Sequence, residues 1–119
     1  MGIQKLTKDV ILVDLPHDGS KRSDELKKVN ETVGNAGNCD VIVDFSLVEI
    51  VNSWNISNLL ILRELLQNSG HQLILCGITT VTKCIFVVAG LSEVFTFADN
   101  RSAALEMIQN SKLSTPARS

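Results

Sequence analysis

Asn52, Ser53, Trp54 and Asn55 stand in a row between a strand-like run that ends at Asp44 (VIVD) and a helix-like run (NISNLLILRELLQN). Amides and hydroxyls at a helix start cap backbone N–H groups that have no intrahelical acceptor. The same N–H groups and the helix dipole attract anions, phosphate included. A tryptophan beside such a cap is either a large anchor for a partner or a ring folded into the edge of the core. The corner therefore joins hydrogen-bonding and anion chemistry to an apolar contact.

The rest of the chain offers little chemistry. Neither GxGxxG nor GxxxxGKS/T occurs, so no cofactor motif with a phosphate cradle is evident and no cofactor is expected. His17 and His71 lie in polar loop contexts without Cys or His at ligand spacing; both read as solvated side chains, and no metal site is expected. GxSxG is absent. Cys39, Cys76 and Cys84 fall in apolar contexts (CDVIV, LILCG, KCIFVV) and read as reduced, buried packing residues. Asp14, Asp44 and Asp99 lie near strand ends. A phosphate-accepting receiver site needs a second acid after the first strand, but Asp14 is followed by Leu15 and Pro16. It also needs a lysine at a late strand end, but Lys83 falls inside a helix pattern. Asp44 reads instead as an acceptor for loop N–H groups. The chain is read as a non-enzymatic domain.

The elements that must position the corner follow from periodicity. Short β-branched runs predict strands at 10–15, 41–45, 73–76 and 94–97, with an edge strand at 3–6. Helices are predicted from Ser20 or Ser23 to about 33, over 53–68, over 80–89, and from Asp99 or Asn100 to about 109. Leu26, Val29 and Val33 form the buried stripe of the first helix. In the second, Leu59, Leu62 and Leu66 face the core, extended by Leu65 and Ile61. Ile56 and Leu60 fall on its outer side, as a contact patch or under a neighbouring element. In the third, Val81, Cys84, Ile85, Val88 and Ala89 repeat at i, i+3, i+4, i+7 and i+8, a full amphipathic match. Alternating strands and helices imply an α/β fold with a mostly parallel sheet and right-handed crossovers. In such folds, functional loops lie beyond the carboxyl ends of the strands.

The 119 residues fit one domain, placed at 1–110, with a polar tail at 111–119 that contains Pro116 and is expected to be disordered. Net charge is −2 with both signs interspersed, and aromatics are 4% with no Tyr, so no nucleic-acid surface is expected. No apolar run reaches the roughly 18 residues of a membrane span, and MGIQKLTKD has no signal-like apolar region. The expectation is a cytoplasmic protein that does not engage a membrane.

Two segments resemble the STAS domain of bacterial anti-sigma-factor antagonists. VIVDFSLVEIVNSWNISNLL is similar to the family's strand ending in D-L/F-S, a short loop, then D-S-S-G-L opening a helix. TVTKCIFVVAGLSEVFTFADNRSAALEMI is similar to its helix with a basic residue, a closing G-L, a phenylalanine-bearing strand and a final helix with A-A-L. The resemblance implies a four- to five-stranded, mostly parallel mixed sheet with about four helices. It implies a regulator that binds an anti-sigma factor that is also a serine kinase, and that is released when the second serine of D-S-S-G is phosphorylated. Here D-S-S-G becomes Asn52, Ser53, Trp54, Asn55. The usual phosphoacceptor position holds Trp54, and Ser53 is the remaining phosphorylation candidate. Asn52, Ser53, Trp54, Asn55, Ile56 and Leu60 are the expected partner-binding residues, in a monomer or weak homodimer. A scaffold or sensory module of a signalling assembly, without phospho-regulation, is the alternative.

Overall fold

The computed structural model describes residues 2–36, 39–49 and 51–118. The elements run β1 (Gly2–Thr7), β2 (Val10–Asp14), α1 (Gly19–Ala36), β3 (Asp40–Asp44), α2 (Ser53–Asn68), β4 (Leu73–Cys76), α3 (Thr80–Val88), β5 (Thr96–Ala98) and α4 (Arg101–Arg118). The strands form one mixed sheet in the order β1-β2-β3-β4-β5; β1 is antiparallel to β2 and the other pairs are parallel.

The β-branched runs become central strands because both faces of the sheet are covered. Ile11, Val41 and Leu73 are in register and face α1, α2 and α3 with Val13, Val43 and Leu75. Leu12, Ile42 and Ile74 alternate to the other face, where Ala104 and Ile108 of α4 cover them. Each fully buried aliphatic chain of this kind contributes about 1.5–3 kcal/mol.

Five expectations are corrected. β5 begins at Thr96, not 94, because Val94 and Phe95 donate their N–H groups back to the carbonyl of Leu91 in a turn. α4 runs past Gln109 to Arg118, through a stretch whose single proline arrives only at position 116. The predicted core stripe of α3 faces outward: Val81 is 54% and Val88 87% exposed, whereas Thr82 and Phe86 are buried. Phe86 sets this rotation, because it meets Phe95 and Phe97 edge to face at centroid distances of 5.5 Å. With that rotation Cys84 is exposed, against the expectation; Cys39 packs half-buried against the core and Cys76 is fully buried. Ile61, assigned to the core stripe of α2, is 51% exposed.

Candidate functional site

The corner is built on the end of β3. The Asp44 side chain accepts hydrogen bonds from the backbone N–H and hydroxyl of Ser46, which turns the chain out of the sheet. Arg101, at the start of α4, donates to Asp44 and, at 2.9 Å, to Asp14 on the neighbouring strand. Asp14 and Asp44 are register partners, so two adjacent carboxylates share one guanidinium. Burial alone would raise the Asp44 carboxyl, but the Ser46 and Arg101 hydrogen bonds outweigh it and hold it below its ordinary value. Burial, with Asp44 nearby, pushes the Cys76 thiol up to about 12 and leaves it unreactive. Gly77 packs over this turn with φ +68°; a Cβ there would lie 2.6 Å from the Ser46 hydroxyl and 2.8 Å from Asp44.

The loop that follows is fastened rather than loose. Val48 and Val51 are buried on the core. The hydroxyls of Thr79 and Thr82, at the start of α3, both donate to the Glu49 carbonyl at 3.1 Å. This is why a threonine can occupy the buried side of α3: its hydroxyl is satisfied.

α2 opens with a reciprocal cap. The Asn52 side chain accepts from the Asn55 N–H at 2.8 Å, and the Asn55 side-chain oxygen accepts from the Asn52 N–H at 3.3 Å. Asn55 is fully buried, and the same oxygen accepts from Arg22 of α1 at 3.2 Å. Arg22, itself buried, also donates to the carbonyls of Pro16 and His17. One guanidinium thus ties the β2–α1 loop to the start of α2. Asn58 donates to the Trp54 carbonyl at 3.0 Å, and Asn30 of α1 donates to the Asn58 carbonyl at 3.3 Å.

This frame leaves Trp54 standing out. Its side chain is 56% exposed, with the Lys27 ammonium 5.7 Å from the ring centroid. The ring is a surface feature, not part of the core edge. Asn52 and Ser53 are exposed beside it, and Leu47 in the preceding loop is 55% exposed. Asn55 has no outward surface, Ile56 is half-buried against the core, and Leu60 is 37% exposed. The structure therefore brings Asn52, Ser53 and Trp54 together on the surface and assigns Asn55 and Ile56 to the support beneath them.

His17 is exposed as expected, but His71 is half-buried with Nδ1 3.3 Å from Asp40. Sequence reasoning missed Arg22 and Arg101, whose partners lie 33, 57 and 87 residues away. For Arg101 a signal existed: two strand-end carboxylates in neighbouring register require a cation between them.

A family model described as STAS domain matches residues 20–104. Solved structures similar to the chain include a putative anti-sigma factor antagonist from Thermotoga maritima, 18% identical over 88% of this chain and 92% of that one, with a TM-score of 0.76. RsbS from Moorella thermoacetica, in a variant form, is 18% identical over 92% and 95% of the two chains, with a TM-score of 0.80. An anti-sigma-factor antagonist (STAS) domain protein from Planctomyces limnophilus is 16% identical over 92% and 99%, with a TM-score of 0.78. No curated protein matches the chain in sequence.

Proposed function

The chain belongs to the STAS-domain family, and from that premise we propose that it is an anti-sigma-factor antagonist-like regulator that docks an anti-sigma factor of the serine-kinase type. The docking surface is the loop before α2 together with Asn52, Ser53, Trp54 and the exposed edge of Leu60. The observation that carries this reading is Trp54: a large aromatic, 56% exposed, on a helix start held rigid by a capping box and a buried arginine. A rigid, protruding indole loses little entropy on binding and fits the profile of an interface anchor.

The position where the family's phosphoacceptor falls holds Trp54, which carries no hydroxyl. The favoured reading is a binder without the usual switch. Ser53 is exposed in the first turn of α2, where the helix dipole would favour a phosphate. A neighbour of the same fold, the Bacillus protein SpoIIAA, has been solved in a phosphorylated form, at 15% identity and a TM-score of 0.70. The outward stripe of α3 favours a second reading, a building block of a larger signalling assembly. One structural neighbour comes from the stressosome, described as a signal integration and transduction hub.

Calorimetric titration with candidate anti-sigma kinases tests the first reading. Binding is expected with the parent chain and is expected to weaken at least tenfold, about 1.4 kcal/mol, with Trp54→Ala. Binding unchanged by that substitution overturns the site. Incubation with the bound kinase and ATP, followed by mass spectrometry, is expected to leave the chain unmodified; one added phosphate on Ser53 restores the switch.

A further inference from the structure

Most of the apolar stripe of α3 does no work inside the domain. Val81, Cys84, Ile85, Val88 and Ala89 line a shallow groove with no charged residue, and only Ile85 among them packs partly on the core. The single charged residue of α3, Lys83, points away to the β5 side, with its ammonium 3.9 Å from the Phe97 ring centroid. An aliphatic side chain left 87% exposed, as Val88 is, forgoes the stabilisation that burial would give.

We propose that this face is the two-fold interface of a weak homodimer, with α3 of one protomer crossing α3 of its partner antiparallel. The stripe is self-complementary. Its i, i+3, i+4, i+7, i+8 spacing is that of a helix-pairing seam. A two-fold axis between Cys84 and Ile85 sets Cys84 opposite the partner's Ile85 and Val81 opposite the partner's Val88, so every apolar side chain of this run meets another apolar one. The seam holds no charge, so pairing with itself meets no like-charge repulsion, whereas a charged partner would find nothing here to neutralise it. Isologous two-fold contacts are also the commonest way soluble chains associate.

The size of the helix sets the strength. Nine residues of α3 extend about 13 Å, too short alone for the roughly 800 Å² per partner of a stable interface. The dimer is therefore one that forms at high local concentration. It leaves the α2 corner free, because Trp54 leans towards Lys27 of α1, on the side of α2 away from α3. This surface differs from the Ile56 and Leu60 patch suggested by periodicity, where Ile56 is already half-buried.

Sedimentation equilibrium of the full chain, from micromolar to millimolar concentration, tests the interface against Val88→Lys. The parent chain is expected to show a monomer–dimer equilibrium, and the substitution to weaken it at least about tenfold, by placing ammonium groups in an apolar seam. Circular dichroism checks that the variant is folded, and Val81→Lys replaces it if it is not. A short bis-maleimide is expected to link two chains through Cys84, and Cys84→Ser to abolish the link. A parent chain that stays monomeric throughout, leaving the stripe for a different apolar partner, overturns the proposal. So does a dimer that survives Val88→Lys, or cross-linking that persists in Cys84→Ser.

Discussion

α2 buries Leu59, Leu62 and Leu66 completely and leaves Trp54 and Ile61 outside; its neighbour α3 buries Thr82 and Phe86 and leaves Val81 and Val88 outside. Both helices lie on the same face of the sheet. α2 connects the central strands β3 and β4 and packs beside α1, so a full aliphatic stripe finds a floor. α3 leads to β5, a three-residue edge strand. Less sheet lies beneath it, and one aromatic, wedged between Phe95 and Phe97, anchors it instead. A hydrophobic stripe thus says which side of a helix is apolar, not which side is covered. Where the two differ, the uncovered side is available for contact.

The contrast breaks first at Phe86. Phe86→Ala should cost about 3–5 kcal/mol, the range for a truncated buried aromatic. Val88→Ser should stay within about 0.5 kcal/mol of the parent, although periodicity alone places Val88 in the core. Urea unfolding at low protein concentration, where the chain is monomeric, measures both. Equal losses at the two positions would mean that α3 is rotated from the orientation described.

The central sheet was legible because its strands are buried on both faces: VILVD, DVIVD and LILC need no partner information to be recognised. The start of α2 was equally legible, since a capping box is local and Asn52 lies three residues from Asn55. The rotation of α3 was not. It depends on Phe95 and Phe97, which come from a turn and an edge strand, and on the Glu49 carbonyl that satisfies Thr82. Asn55 was read as surface for a related reason. Its burial rests on Arg22, 33 residues earlier in the chain, and nothing local to either residue announces the pair.

The second effect concerns how the two regions are joined to the sheet. The corner before α2 hangs on Asp44, whose carboxyl is held below its ordinary value mainly by Ser46 and Arg101 against the opposing pull of burial. A depressed carboxylate contributes stability above its unfolded-state value and loses that contribution as the pH falls through its folded-state value. The parent chain should therefore lose stability on acidification below about pH 4, and Asp44→Asn should show a shallower loss. At neutral pH that substitution should cost about 1–3 kcal/mol, towards the lower end because the Arg101 side chain is 44% exposed and screened by solvent. α3 has no such carboxylate, so the pH profile of Val88→Ser should follow that of the parent. Thermal unfolding between pH 3 and 7 separates the two.

The smallest effect on stability is also the most telling, because it falls on one turn of helix with two neighbouring residues in opposite roles. Asn52 accepts the Asn55 N–H, so Asn52→Ala should cost about 1 kcal/mol of stability. Trp54 shares that turn but makes its contacts on the outside, with Lys27. Removing an exposed ring that no buried group depends on should shift stability by less than about 0.5 kcal/mol. Parallel urea titrations of Asn52→Ala and Trp54→Ala give the comparison directly. A Trp54→Ala variant as unstable as Asn52→Ala would make the indole part of the fold, and the case for it as a partner's anchor would go with it. A stable Trp54→Ala variant would mean that the chain keeps a large exposed aromatic for which its own folding has no use. α3 shows the same pattern with Val88, on the other side of α2.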